Sequence, residues 1–311
     1  MKTSKTTSPA TAALAETAAV NPRALFREYY LLTKPGIIRG NLFTASAGFL
    51  LAASGIVNPG HLVGMILGLA LVIASGCVCN NYMDRQLDIR MARTSQRALV
   101  TGAISTRHAL AYAAVLGIVG VVTLALGCNV LTAGLGALGF IAYVLVYGAA
   151  KRRTVHSTVI GSISGAIPPL VGYAAASHGL DLGALVLFII LVCWQMPHFY
   201  AIGIYRFDDY KSAGLPILPV AKGFLATKIQ MILYAAAFVV AVASLAPFGY
   251  VSIWCGIAVT LLGSIWLLQT IRGLRLQTDD TTIHWARQVF RSSLMVITLL
   301  CVAIGIDSFF A

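Results

Sequence analysis

"CNNYMDRQLDIRMARTSQR", residues 79–97, follows a long apolar run, and the preceding stretch His61–Val78 contains no acid, lysine or arginine. Two asparagines, two aspartates and four arginines then arrive together. If the apolar run is a helix that continues through the boundary, Asn80, Asp84 and Asp88 recur every fourth residue. Each step advances about 6 Å and turns about 40°, so the three side chains form one polar stripe where the apolar helix ends. An ordinary solvated face would set a lysine or arginine three or four positions from each acid. Asp84 has Asn80, Asn81, Leu87 and Asp88 at those spacings, and Asp88 has only Arg85. Two acids at i,i+4 repel, and a cation between them removes the conflict. Mg²⁺ takes one or two protein carboxylates and completes its shell with water and phosphate oxygens. The stretch therefore reads as a metal–phosphate site. Arg93 and Arg97, also four apart, offer guanidinium forks for phosphate, although membrane topology alone also accounts for arginines here.

Composition supplies the setting. Hydrophobic residues make up 59% of the 311-residue chain and charged residues 10%. A soluble domain carries about 25% charged residues, so this chain has too few to cover a surface in water. The class is an all-α polytopic membrane protein, with the lipid bilayer as its surroundings. Nine apolar segments approach the roughly 20 residues a span needs: 40–56, 61–82, 108–127, 130–149, 157–177, 182–204, 229–247, 250–270 and 292–310. Residues 1–28 read as a disordered cytoplasmic tail, and 29–311 as a single transmembrane domain. The six cysteines lie in or near apolar runs, and Cys77-x-Cys79 lacks the spacing of a zinc pair; they read as small buried hydrophobes.

The net charge of +12 would suit nucleic acid, but its distribution argues against that partner. With nine spans, all 22 lysines and arginines fall before span 1 or after spans 2, 4, 6 and 8. The other side receives only Asp181 and Asp307. The positive-inside rule then makes the N-terminus cytoplasmic and the C-terminus external, in the cytoplasmic (inner) membrane.

A second polar segment, "YRFDDYKSAGLPILP" (205–219), follows span 6 and emerges on the same face as the first. Asp208 and Asp209 are candidates for a second phosphate–metal half-site. Lys211 and Arg206, three residues from Asp208 and Asp209 respectively, offer a plain ion-pair explanation instead. Within span 6, "WQMPHFY" (194–200) places Gln195 and His198 at membrane depth, where polar groups usually face a cavity. His198 reads as up to about 15 Å deeper than Asp208 if the segment is helical. In span 5, Gly161 and Gly165 permit close packing, and Pro168-Pro169 implies a kink.

The spacing Asn80-x-x-x-Asp84-x-x-x-Asp88 followed by Arg93-Thr94 resembles the signature of the intramembrane prenyltransferase superfamily, which includes quinone-biosynthesis enzymes. The segments "LTKPGIIRGN" (32–41), "SGCVCNNYMDRQLD" (75–88), "KRRTVHSTVIGSISGAIPPLVGY" (151–173), "WQMPHFYAIGIYRFDDYKSAGLPILPV" (194–220) and "ARQVF" (286–290) resemble its heme O synthase branch more narrowly. The resemblance implies nine helices around a central cavity open sideways to lipid. It implies transfer of the farnesyl group of farnesyl diphosphate to the vinyl group at carbon 2 of heme B, giving heme O. It carries Mg²⁺ binding to Asn80, Asp84 and Asp88. Asp84, Asp88 and Asp209 are the expected catalytic acids, and Arg93, Arg97, Lys151 and Lys211 the expected diphosphate ligands. His198 and Gln195 are expected at the heme pocket, with His198 either ligating iron or orienting the ring. One departure stands out: many members repeat D-x-x-x-D in the second loop, whereas Ser212 and Ala213 follow four residues after Asp208 and Asp209. The product's recipient, a terminal oxidase or a heme A synthase, stays open. Two rivals are a quinone-type prenyltransferase of an aromatic acid and a non-enzymatic transporter; the latter would carry charges through the membrane midplane.

Overall fold

The computed structural model describes residues 22–310. Among them, nine helices are long and apolar enough to cross a membrane: Pro35–Ala53, Pro59–Asp88, Thr106–Gly127, Val130–Ala150, Ser157–Ser177, Leu182–Tyr205, Leu218–Ala243, Ile253–Arg275 and Asp279–Asp307. They are spans 1 to 9 below. An additional helix, Pro22–Leu32, precedes them. It buries Leu32 and packs Leu25 and Tyr29 against Val78 and Ala98. The tail expected over 1–28 is thus helical from Pro22 onward, and the rest of it lies outside the described residues.

Local chemistry starts most of these helices. Side chains of Asn58, Ser105, Asn129, Asp181, Ser252 and Thr278 each accept from a backbone N–H of the first turn that follows, satisfying donors that have no partner inside the helix. Pro35 and Pro59 sit in the first turn, where the missing N–H is harmless. Spans 1, 7 and 9 begin 5, 11 and 13 residues earlier than the apolar runs suggest. Lys222 and Lys228, and Arg287 and Arg291, are therefore helical rather than loop residues. Lys228 is buried in span 7 because its ammonium donates to Leu276 O and Thr282 Oγ1, each at 3.0 Å.

The spans follow one another around a ring, each packed on the next, and span 9 returns to span 1. Span 1 also crosses the second half of span 5. There Gly172 lies against the Ala45 carbonyl, so a Cβ at 172 would collide with backbone. Large apolar side chains such as Ile118, Leu126, Val240, Trp254 and Ile265 stay exposed along the spans, as a lipid-facing surface requires. The kink implied by Pro168-Pro169 is present. Helix runs Ser157–Gly165, breaks at Ala166, and resumes at Ile167, because neither proline can donate to a carbonyl four residues back.

Candidate active site

Span 2 remains helical to Asp88 and then ends, so the stripe forms as its spacing requires. Asn80, Asp84 and Asp88 are 5%, 5% and 2% exposed. The acids are not without basic partners, as counting three and four residues along the chain suggested. Lys151, from the loop after span 4, donates to Asp84 Oδ2 at 2.6 Å. Arg97 donates to Asp88 Oδ2 at 2.7 Å. Arg97 reaches back because the chain after Asp88 folds into turns instead of continuing as helix; Thr94 Oγ1 secures the turn on Asp88 O at 3.0 Å. A third cation, Lys34, donates to Asn80 Oδ1 at 2.6 Å. Each member of the stripe therefore faces one cation from a different part of the chain.

Sequence reasoning missed Lys34. It stands between the first helix and span 1 with φ 52° and ψ 66°, a left-handed conformation that is costly for a residue with a Cβ. Burial pushes its ammonium down to about 8. The only signal in the sequence was "KPG", a lysine ahead of a proline at the entry to span 1. Asn81 Nδ2 ties the first helix to this point by donating to Leu32 O at 2.9 Å, while Asn81 Oδ1 is buried without a hydrogen-bond partner.

Two tyrosines complete the wall. Span 4 contains a π-turn at Ala142–Tyr147, a rare geometry that recurs at functional sites. It stacks Tyr143 on Tyr147, with centroids 5.8 Å apart and planes at 12°, and brings both within electrostatic reach of Asp84. A Cβ at Gly161 would press on the Tyr147 ring. The first glycine of the span 5 pair thus makes room for a side chain.

The second polar segment touches the site through Tyr210, not through its acids. Met91 packs with Ala213 and Leu215, with Tyr210, Leu87 and Ile217 alongside, so the loops after spans 2 and 6 form one cap. Burial raises the Tyr210 phenol above its ordinary value, and Tyr147, Lys151 and Arg93 are close enough to act on it. Asp209 instead pairs with Arg206 at 3.6 Å, Asp208 is exposed, and the Lys211 ammonium lies 5.6 Å from the Phe207 ring centroid. Asp209, expected as a catalytic acid, and Lys211, expected as a diphosphate ligand, thus have partners apart from the acid stripe, on the short helix Phe207–Ser212. Arg93 is exposed beside Tyr210 and makes no ion pair among the described residues.

Gln195 and His198 also receive definite partners. Gln195 Nε2 donates to Ser162 O at 3.1 Å and Leu191 O at 3.0 Å, holding span 6 to the break in span 5. A Cβ at Gly165 would collide with its Oε1. The amide's donors are thus committed to backbone, a structural task and not a free polar group in a pocket. His198 is 8% exposed and bonds Ser293 Oγ through Nδ1 at 2.7 Å. Two cavities lie elsewhere in the bundle: about 850 Å³ between spans 8 and 9, beside Arg272, His284 and Trp285, and about 400 Å³ between spans 5, 6 and 7, beside His156 and Tyr234.

The donor set suits a hard divalent cation. Among the described residues no three His, Cys, Asp or Glu side chains come together. Two carboxylates and an amide oxygen one turn apart fit Mg²⁺, which draws its remaining ligands from water and phosphate. In this structure the same three side chains accept from Lys34, Lys151 and Arg97.

Similarity to known proteins agrees. Residues 41–294 match the model of the UbiA prenyltransferase family. The chain is 48% identical over 279 residues to the protoheme IX farnesyltransferase of Protochlamydia amoebophila, covering 90% of this chain and 98% of the relative. It is 45% identical over 284 residues to that of Edwardsiella ictaluri, covering 91% and 95%. In fold it is similar to a UbiA homologue from Aeropyrum pernix K1, with a TM-score of 0.68, 20% identity and coverage of 87% and 97%. It is also similar to one from Archaeoglobus fulgidus bound to DMAPP and Mg²⁺, with a TM-score of 0.63, 18% identity and coverage of 88% and 100%. By the family match across most of its length and the identity to these relatives, the chain belongs to the UbiA prenyltransferase family.

Proposed function

We propose that this chain transfers the farnesyl group of farnesyl diphosphate to a vinyl group of heme B, giving the hydroxyethylfarnesyl group of heme O and releasing diphosphate. The observation that carries the reading is the set of three acceptors facing three cations, Asn80–Lys34, Asp84–Lys151 and Asp88–Arg97, in a chain so similar to protoheme IX farnesyltransferases.

Breaking the allylic C–O bond leaves a carbocation on the chain and negative charge on the diphosphate. Asn80, Asp84 and Asp88 would hold Mg²⁺, which would supply Lewis-acid neutralisation of that charge. Lys34, Lys151 and Arg97 turn from the stripe to the phosphate oxygens, and positioned cations of this kind stabilise leaving-group charge most effectively where water is excluded. The cap formed by Met91, Tyr210 and Leu215 excludes it. The vinyl carbon of heme B then attacks the first carbon of the farnesyl chain, making the C–C bond. Water adds to the new cation on the heme side and loses a proton, giving the hydroxyl. The stacked Tyr143 and Tyr147 present aromatic faces beside the stripe, where a cation is favoured.

By the positive-inside rule, the loops and helix ends that carry the lysines and arginines lie on the cytoplasmic side, with the N-terminus there and the C-terminus outside. The deciding experiment supplies membranes containing the protein with heme B, farnesyl diphosphate and Mg²⁺, then separates the extracted hemes by chromatography. Heme O is expected in proportion to enzyme. Diphosphate release without a farnesylated heme overturns the acceptor assignment.

A further inference from the structure

Only Thr33 and Lys34 separate the helix Pro22–Leu32 from span 1, which starts at Pro35. The connection is not slack. Thr33 Oγ1 donates to Tyr30 O at 2.7 Å, Lys34 N donates to Leu31 O at 3.1 Å, and Ile37 N donates to Lys34 O at 2.8 Å. A helix tied this closely to a membrane-crossing helix lies where lipid meets water.

Its faces differ. Leu25, Tyr29 and Leu32 recur at i, i+4 and i+7 and pack in one cluster with Val78 and Ala98, and Tyr29 meets Tyr112 of span 3 edge-on at 5.2 Å. Phe26 and Tyr30 each follow one of these inward residues, so they stand about 100° further round the axis. The bundle leaves them uncovered, at 74% and 53% exposed. Arg23 and Arg27 come next round the helix and are also exposed. Glu28, about 200° from Phe26, falls on the opposite flank. Aromatic rings beside guanidinium groups suit the headgroup layer, where the ring sits at the acyl boundary and the charge reaches the phosphates. Arg23, Arg27 and Arg39 outnumber the single acid of this region, Glu28, so a leaflet of anionic phospholipid is the matching surface.

The same helix carries two arms of the acid stripe. Asn81 donates to Leu32 O, and Lys34, in its left-handed turn, donates to Asn80. Ala98, in the cluster under Leu25 and Tyr29, follows Arg97, the partner of Asp88. A left-handed lysine persists only where its surroundings hold it.

We propose that Pro22–Leu32 docks on anionic phospholipid headgroups through Phe26, Tyr30 and the arginines beside them, and that this docking holds Lys34 at the acid stripe. The link to diphosphate binding rests on the function proposed above; the docking itself does not.

Two measurements on the full-length protein in vesicles test it. The first asks where the helix lies. Phe26→Trp and Ala24→Trp, both at exposed positions, are placed in mixed phosphatidylglycerol and phosphatidylcholine vesicles whose acyl chains carry bromine near the headgroup, and the parent's emission is subtracted. Bromine should quench the tryptophan at 26 more strongly than the one at 24. Equal or weaker quenching at 26 overturns the docking. The second asks whether docking reaches the stripe. Affinity for a farnesyl thiodiphosphate with Mg²⁺ is measured for the parent, for Ala24→Ser and for the double variant Phe26→Ser, Tyr30→Ser, and again for the parent in phosphatidylcholine alone. Coupled sites alter each other's affinity by about 5- to 150-fold. The double variant and the neutral vesicles should therefore each weaken binding at least about fivefold, while Ala24→Ser leaves it unchanged. Undiminished affinity in both overturns the hold on Lys34. A parent that binds no farnesyl thiodiphosphate in anionic vesicles overturns that hold together with the reading of the stripe, and the quenching result alone then decides the docking.

Discussion

Lys151 Nζ sits 2.6 Å from Asp84 Oδ2 although 67 residues separate them in the chain, and the two side chains are only 19% and 8% exposed. The pair ties the loop after span 4 to the acid stripe. Removing one partner of such a pair is worse than removing both, because the remaining charge stays out of water. Lys151→Met should therefore destabilise the folded protein by about 3 kcal/mol. Mg²⁺ can take the place of the lost ammonium, so it should raise the melting temperature of the variant more than that of the parent. Thermal unfolding in detergent across a Mg²⁺ series checks this, and an equal response in both chains would remove the stripe as a cation site.

Gln195 gives a prediction about architecture. Its two hydrogen bonds join span 6 to the break in span 5, and Gly165 leaves the room its Oε1 occupies. Gln195→Ala removes the bridge to Ser162 O, which keeps only the Ala166 N–H, and should cost about 1 kcal/mol. Gly165→Ala forces the amide away and should cost a similar amount. Since both remove the same contact, the double variant should fall well short of the sum. Strictly additive losses in denaturation would mean that the glycine and the glutamine act independently.

Topology makes a third. The loop at Gly179, between spans 5 and 6, lies on the side that receives no lysine or arginine, whereas Arg153 lies on the basic side. Reporter fusions should read external at Gly179 and cytoplasmic at Arg153. A cytoplasmic signal at Gly179 would contradict the alternation of nine spans that puts the two polar segments on one face.

What was legible in the sequence follows from distance along the chain. The Asn80, Asp84 and Asp88 stripe is a local consequence of helical spacing, and so was the kink before Pro168. The partners of that stripe were not legible. Lys34 and Lys151 come from 46 and 67 residues away, and only packing of spans 1, 2 and 4 brings them in. The start of span 7 was misplaced because Lys228 reads as a loop residue, until Leu276 O and Thr282 are seen to hold its ammonium. The start of span 9 was misplaced because Asp279 and Asp280 look like loop acids, whereas acids favour the first turn of a helix. Gln195 and His198 look alike in sequence, as polar residues in one apolar span. Their partners divide them, since the glutamine donates only to backbone while the histidine bonds the hydroxyl of Ser293 on span 9.

The acids themselves carry the last prediction. Asp84 and Asp88 are one turn apart, almost fully buried, and each holds a cation drawn from elsewhere in the chain. Asp209 pairs with Arg206 at 3.6 Å and is 31% exposed, an arrangement worth at most about 1 kcal/mol. Asp84→Asn and Asp88→Asn keep the shape of the side chain and remove its charge. Each should lower heme O formation per folded enzyme about a thousandfold, or roughly 4 kcal/mol of transition-state stabilisation, because leaving-group charge loses the metal site that neutralises it. Asp209→Asn should leave most of the rate intact. The comparison is made by chromatography of extracted hemes across a Mg²⁺ titration, normalised to folded protein. If Asp209→Asn abolishes activity while Asp84→Asn and Asp88→Asn retain both the rate and its magnesium dependence, the diphosphate site lies on the second polar segment and not on the first.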